Sequence, residues 1–243
     1  MLIAIAFKYA LVDSNTAFLR SVDYDLVLIS KRRYTSFIEQ TFPRSTLISM
    51  RAVDHVIESC PLYQTTSIWK PLGKALRRPI RVYAISTHCR VNFFNSLGIR
   101  PTLLQQDYTV MADQLSRPEY GSLSPGVEAE LDGRRIRIVD DFRLGADFST
   151  DGTLILSDKT FLRLFSNQPT GIEGNPRTSL EQVDFGLIKI SQNADAGFVK
   201  GLIEKKLPRD VVVLTKDEMI TNEASYWNDA TPIGFLFNLG TIM

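Results

Sequence analysis

Phe185-Gly-Leu-Ile-Lys-Ile190 is a short and almost uniformly apolar run, and Val211-Val-Val-Leu214 is a second one. Runs of this length and composition are typical of buried strands. Between them, Ala194–Lys206 places its apolar side chains on one helical face. Thr215, with Glu218 three residues later, matches a capping box and predicts another helix after the second strand. The stretch therefore predicts a compact strand–helix–strand unit that leads into a further helix.

The N-terminal part of the chain repeats this pattern. Residues 25–30 predict a buried strand, and a helix is expected over residues 43–53. Residues 56–70 are expected to be extended, with a break at Pro61. We interpret the basic triplet Lys31–Arg33 as a solvated turn. Because one such unit lies toward each end of the sequence, the two chain ends are predicted to build one α/β layer.

The middle of the chain is rich in short strands and turns. Residues 80–85 predict a strand, and residues 127–139 predict a hairpin around Asp132-Gly133, a favoured two-residue turn. Residues 153–156 predict a strand that leads into a capped helix. Residues 167–179 contain many Pro, Gly and Asn residues and predict a loop, the strongest internal break. This region is expected to be a subdomain inserted into the α/β layer.

Both ends of the sequence are apolar. Met1–Phe7 has no charge and lacks the basic start and cleavage site of a signal peptide. At the other end, Thr231-Pro232 is a good helix start and Ile233–Met243 has no charged residue. That run is shorter than the roughly 20 residues that cross a bilayer. It predicts either a buried C-terminal helix or the start of a membrane helix, and the apolar N-terminus favours an extramembrane domain between two membrane helices.

Composition and charge exclude several classes of protein. The 243 residues are 44% hydrophobic and 23% charged, which is ordinary for a globular chain. A formal net charge of +1 argues against a dedicated nucleic-acid-binding protein. Cys60 and Cys89 match no zinc-binding pattern. We expect two buried free thiols, although an oxidising compartment would allow a disulfide.

The sequence contains no recognisable catalytic or metal-binding motif. His55 and His88 belong to no metal-binding pattern, and no serine-nucleophile elbow or phosphate-binding glycine loop is present. Asp140-Asp141 would point to opposite faces of a strand. Arg134-Arg135 and Arg137 are expected on an exposed hairpin face. A domain held between two membrane helices without such a cluster is predicted to dock partners or transmit force rather than to catalyse a reaction.

A series of stretches along the chain matches one known family. They are D-L-V-L-I-S-K-R-R-Y-T-S-F at Asp25–Phe37, F-P-R at Phe42–Arg44, E-S-C-P-L-Y at Glu58–Tyr63, L-S-R-P-E-Y-G at Leu115–Gly121, E-L-D-G-R-R-I at Glu130–Ile136, L-G-A-D-F-S-T-D-G-T-L-I-L-S-D at Leu144–Asp158, F-L-R-L-F at Phe161–Phe165, G-L-I-K-I at Gly186–Ile190, V-L-T-K at Val213–Lys216, Y-W at Tyr226–Trp227 and T-P-I-G-F at Thr231–Phe235. These stretches cover nearly the whole chain in the expected order. On them the chain resembles the periplasmic domain of DevC-type ABC transporter permeases, cyanobacterial relatives of the MacB permease in the MacB-like and FtsX-like superfamily.

The resemblance implies an α+β fold with a porter-like α/β subdomain and an inserted β-rich, Sabre-like subdomain. The implied division is a helix continuing from the first membrane span (1–21), the porter-like part (22–79 and 180–226), the insertion (80–179) and the start of the second span (227–243). The whole permease would have four membrane helices and lie in the inner membrane with this domain in the periplasm.

The resemblance also implies partners and a role. The partners would be a cytoplasmic ATPase subunit, a periplasmic adaptor of the membrane-fusion type, a TolC-like outer-membrane channel and a second permease copy, and the cargo a glycolipid or other hydrophobic molecule. No cofactor and no nucleic acid is expected on this domain, because ATP binds to the separate subunit. Thr231, Pro232 and Gly234 are the expected points at which motion enters the domain. Two other classes stay open: a membrane-tethered sensor ectodomain and an envelope hydrolase.

Overall fold

The computed structural model describes residues 2–147, 150–166, 169–170, 175–176 and 179–230, and they form an α+β fold. The helices are α1 (Leu2–Ser21), α2 (Arg44–Ser49), α3 (Asp158–Phe165), α4 (Ala196–Glu204) and α5 (Lys216–Ser225), which continues into a π-helical turn, Tyr226–Ala230. The strands are β1 (Leu26–Ser30), β2 (Phe42–Pro43), β3 (Val56–Pro71), β4 (Arg78–Ile85), β5 (Thr109–Asp113), β6 (Glu128–Leu131), β7 (Arg134–Phe142), β8 (Thr153–Ser157), β9 (Pro169–Thr170), β10 (Asn175–Pro176), β11 (Gln182–Val183), β12 (Phe185–Ile190) and β13 (Val211–Thr215).

Nine strands form one mixed sheet in the order β13-β1-β12-β3-β4-β8-β5-β7-β6. The 16-residue strand β3 joins its two halves, because residues 56–62 pair with β12 whereas residues 62–69 pair with β4. The predicted break at Pro61 is wrong. At Pro61 the strand pairs with β12 alone, since pairing to β4 begins only at Leu62, and a proline is tolerated where a strand is still an edge.

The sheet is covered on both faces, which explains why β1 is apolar at every position. Leu26 and Leu28 face a core that also contains side chains of α2, α3 and α4. Val27 and Ile29 face a second core with side chains of α1, α5 and the segment after β4. Successive side chains of a strand point to opposite faces, so a strand between two cores must be apolar throughout.

Local signals in the sequence are confirmed at the predicted places. Thr215 and Glu218 form a reciprocal capping box at the start of α5. Asp132 and Gly133 adopt left-handed φ angles of 53° and 73° in the turn between β6 and β7, as the Asp-Gly pair predicts. Gly186 in β12 is required for close packing, because an added Cβ would lie 2.6 Å from Leu47 Cδ1.

Other expectations concern boundaries. Because the described sheet runs without interruption through β3, the division into residues 22–79 with 180–226 and residues 80–179 stays a prediction. Most of the expected loop 167–179 lies outside the described residues. The C-terminal run 231–243 lies wholly outside them. Among the helices that the structure describes, none is both long and apolar enough to cross a membrane.

Candidate functional site: the junction of the terminal helices with the sheet

Helices α1 and α5 lie side by side on one face of the sheet and run in opposite directions. Lys216, the first residue of α5, donates from Nζ to the carbonyl oxygens of Arg20 (2.8 Å) and Val22 (2.6 Å) at the end of α1. The π-helical turn beyond α5 still contacts α1. A lysine is suited to this position because the last carbonyls of a helix lack intrahelical partners. Burial lowers the pKa of Lys216, with nearby Asp23 acting in the opposite direction.

Helix α1 is held on the sheet by aromatic stacking and by the segment after β4. The Phe18 ring stacks on Tyr83 of β4, with centroids 3.6 Å apart and an interplanar angle of 4°. Ser96 donates from Oγ to the Ser21 carbonyl, and the Asp23 amide donates to the Phe93 carbonyl at 2.7 Å. The C-terminal end of α1 is therefore enclosed by the sheet below and this segment above.

A disulfide fastens the same segment to β3. Cys60 in β3 and Cys89 after β4 are bonded, with Cα atoms 6.1 Å apart. The expectation of two free thiols is therefore wrong. The two cysteines are 29 residues apart in sequence, and only the pairing of β3 with β4 brings them together.

Glu223 anchors the C-terminal half of α5. Its side chain is fully enclosed, and the residue is only 1% exposed. Oε1 accepts hydrogen bonds from Thr35 Oγ1 (2.8 Å) and Trp227 Nε1 (2.9 Å), and Oε2 accepts from the Ser36 amide (2.7 Å). A buried carboxylate needs such donors, because an unsatisfied buried charge costs several kcal/mol. Glu223 thus ties both α5 and the turn after it to the segment that follows β1.

A buried ion pair carries the connection from that segment to the centre of the sheet. Arg33 Nη2 lies 2.7 Å from Asp184 Oδ1, and both side chains are 0% exposed. Arg33 also donates to the carbonyls of Gln40 and Ser36, and its guanidinium lies 4.3 Å from the centroid of the Phe185 ring. The interpretation of Lys31–Arg33 as a solvated turn is therefore wrong at Arg33, while Lys31 and Arg32 are exposed.

Gln64 of β3 completes the connection. Its backbone amide donates to Asp184 Oδ2 (2.9 Å), and its Nε2 donates to the Ser36 carbonyl (2.8 Å). A continuous chain of buried hydrogen bonds therefore runs from Trp227, through Glu223 and Ser36, to β3 and the residue before β12. Buried polar networks rigidify a structure through their satisfied members, and here the Gln64 Oε1 atom is the one buried side-chain oxygen of these residues with no hydrogen-bond partner in the described part of the chain. We refer to these residues, with Arg33, Thr35 and Asp184, as the buried network.

The structure also places the residues that the sequence analysis considered for chemistry. His55 is exposed, with Nδ1 3.4 Å from Ser191 Oγ, and within the described part of the chain no carboxylate contacts it. His88 is exposed as well. Asp140 pairs with Arg100, but its side chain is only 17% exposed and it lies inside β7, so the interpretation of a solvated strand end is wrong at this residue. Among the described residues no group of three or more His, Cys, Asp or Glu side chains could hold a metal ion.

Most members of this site could not be recognised from the sequence. Thr231, Pro232 and Gly234, the residues expected to pass motion into the domain, lie outside the described residues. Arg33 and Asp184 are 151 positions apart in sequence, and Thr35 and Glu223 are 188 apart. Only the capping box had marked the start of α5 in advance. A polar residue at a core-facing helix position, such as Glu223, is the signal that would have indicated a buried network.

A groove of about 420 Å³ lies beside the buried network. Ile29, Leu214 and Met219 supply apolar surface, and Tyr34 and Tyr226 stand at its edge with ring centroids 5.6 Å apart. Ligand pockets in proteins are commonly of this size. The Glu223 carboxylate in its wall already accepts three hydrogen bonds, so the groove presents mainly apolar and aromatic surface.

Comparison with solved structures identifies the fold. The periplasmic region of MacB from Actinobacillus actinomycetemcomitans superposes with a TM-score of 0.55 and 13% sequence identity, over 82% of this chain and 92% of that one. The extracellular domain of the ABC-type transporter YknZ from Gram-positive bacteria gives a TM-score of 0.50 and 7% identity, over 79% and 98%. Neither a protein-family model nor a curated protein matches the sequence. The expected α+β fold is confirmed, and it is the fold of the periplasmic region of MacB and of the extracellular domain of YknZ.

Proposed function

We propose that this chain is the periplasmic domain of an ABC exporter permease and that it couples motion of membrane helices to export. The full proposal is a tripartite assembly in which a homodimeric permease of the DevC type works with a cytoplasmic ATPase, a periplasmic adaptor and a TolC-like channel. The cargo would be a glycolipid or another hydrophobic molecule. ATP would be bound and hydrolysed on the separate subunit, and the domain itself would need no cofactor.

One observation supports this proposal above the others: both terminal helices are fastened to each other and to one sheet. Lys216 holds the start of α5 against the end of α1, and Glu223 holds the far end of α5 against the sheet. A displacement of either helix would therefore move the sheet as a body, since packed rigid elements transmit motion by shifting together. The same fold in the MacB and YknZ domains is consistent with this role.

The test is to observe the domain while the ATPase is trapped. The disulfide leaves no free cysteine among the described residues, so I57C at an exposed position of β3 would accept a single spin label in each copy. In the assembled transporter in nanodiscs, vanadate trapping should shift the distance distribution between the two labels. An unchanged distribution in the trapped wild-type assembly would refute coupling through this domain.

Two variants locate the coupling. K216A removes the link between α1 and α5, and E223Q weakens the buried network while keeping its volume. Both should retain ATP hydrolysis and lose much of the trapped shift. K200A is the matched control, because Lys200 joins α4 to Glu218 of α5 at the surface and does not contact α1. Variants of Thr231 and Pro232 are expected to behave like K216A, and a normal shift in all of them would exclude the lever.

A sensor ectodomain is the second candidate, and the groove at Tyr34 and Tyr226 favours it. A ligand seated there would touch α5 and could bias its position. Titrating the protein with amphiphiles while recording tryptophan fluorescence, to which Trp227 next to Tyr226 contributes, would test this function. Saturable binding with no effect of vanadate trapping would favour the sensor over the exporter.

A further inference from the structure

The loop between β3 and β4, Leu72-Gly-Lys-Ala-Leu-Arg77, is unusual in its composition and exposure. All six residues are exposed, and the two leucines are 40% and 44% exposed. The loop contains two cations and no acid. Acids near the base of the loop already pair with other cations: Glu130 with Lys70 at 3.0 Å, and Glu119 and Asp151 with Arg78.

Helix α1 points toward the end of the sheet that carries this loop. Phe18 stacks on Tyr83, and one helical turn earlier Ser14 shares a cavity of about 20 Å³, room for one water, with Arg81. Going back four residues along α1 therefore corresponds to going back two residues along β4, about 6 Å in each case. Helix α1 and strand β4 therefore run parallel to each other. Because β4 begins at Arg78, directly after the loop, the N-terminus of α1 is directed toward the loop.

The C-terminal end of the described chain leaves in the same direction. Helix α5 begins at the C-terminal end of α1, beside Val22. It ends near Trp227, whose ring meets Phe37 edge-on at 5.1 Å, and Phe37 in turn lies under the Arg81 guanidinium at 4.8 Å. Both terminal helices thus connect the level of the α1 C-terminus with the level of Arg81, and in both the end nearer the loop is the one at Arg81.

We propose that the β3–β4 loop is a membrane-contact surface, in which Leu72 and Leu76 enter the lipid interface while Lys74 and Arg77 bind anionic headgroups. The inference rests on the proposed function, because it takes the two terminal helices to continue into the bilayer. A loop on the same side then faces the lipid surface. Exposed aliphatic side chains next to cations are the combination that binds an anionic interface. The contact would steady the sheet against the membrane while the helices move.

The experiment uses environment-sensitive fluorophores on single introduced cysteines, with the assembled transporter reconstituted into nanodiscs of phosphatidylcholine with or without phosphatidylglycerol. L76C reports the loop. I57C is the matched control, an exposed aliphatic residue at the opposite end of β3. Y9C, at an exposed position of α1, reports whether the helix approaches the bilayer at all. The expected result is a blue-shifted signal at position 76 in anionic nanodiscs, a response at position 9 and none at position 57.

The electrostatic part is tested by adding K74Q and R77Q to L76C. Each cation near an anionic surface contributes about fivefold, so removing the pair should reduce the contact equilibrium about 25-fold. High salt should have the same effect, since it screens charges beyond a few ångströms. A response at position 9 with none at position 76 would overturn the loop proposal and leave the proposed function standing. Silence at both positions would overturn both.

Discussion

Replacing Asp184 by Asn should destabilise the domain by about 3 kcal/mol. The substitution preserves volume and leaves an oxygen that can still accept from the Gln64 amide, but it leaves the Arg33 guanidinium without its counter-charge. Both side chains are 0% exposed, so water cannot replace the lost carboxylate. Breaking a buried pair from one side typically costs about 3–5 kcal/mol, and the retained acceptor places D184N at the lower end. For a chain of this length the melting temperature should fall by about 10 °C.

Urea unfolding followed by tryptophan fluorescence measures this effect directly, because Trp69 and Trp227 are both buried. D107N is the matched control, since the Arg163–Asp107 pair has side chains 51% and 42% exposed and should contribute less than about 1 kcal/mol. The double variant R33M/D184L should lose at least as much stability as D184N, because removing both side chains also leaves the Gln64 amide and the Gln40 carbonyl without their partners. A D184N protein within about 1 kcal/mol of wild type would show that the ion pair is not desolvated as the structure indicates.

Three further predictions concern other parts of the fold. C60S/C89S should lower stability by about 3 kcal/mol, because the disulfide closes a loop across a sequence separation of 29, and the urea midpoint with and without reductant checks this. G186A should cost about 1–3 kcal/mol from overpacking, whereas G201A, inside α4 with nothing within 4 Å of an added Cβ, should be neutral or stabilising in thermal melts. A hydrogen bond from a lysine lowers the pKa of Glu218 below its usual 4.5, so its contribution is complete above pH 4.5 and is lost as the pH falls below it. E218Q should flatten the acid limb of the stability profile by less than about 1 kcal/mol, because this side chain is 43% exposed.

The elements that could be predicted from the sequence are those whose cause is local. The apolar run 25–30, the Asp132-Gly133 turn and the Thr215 capping box each depend on residues within a few positions of one another. The expectation of a break at Pro61 failed for a different reason. A proline interrupts a ladder only where its missing N–H had a partner, and that depends on which strands lie alongside.

The candidate site could not be predicted, because its contacts join distant parts of the chain. Arg33 belongs to a basic triplet whose composition is typical of a solvated turn. No residue near it in sequence indicates that Asp184 is its partner. The Cys60–Cys89 bond likewise depends on strand pairing rather than on a spacing motif. Periodicity can show that a position is buried, but it cannot say which polar group will be buried opposite.

The long strand β3 has a consequence for how the protein can yield under load. Residues 56–62 belong to the neighbourhood of β12, and residues 62–71 belong to that of β4 and β6. If the strands on one side of the sheet unfolded, β3 would unfold with them and the strands on the other side would lose their central partner. Neither half of the sheet can therefore open alone. Hydrogen exchange along β3 should therefore be uniformly slow, with a single opening event for all its central amides. A sheet of this kind transmits a displacement of the attached helices as a rigid unit instead of deforming locally.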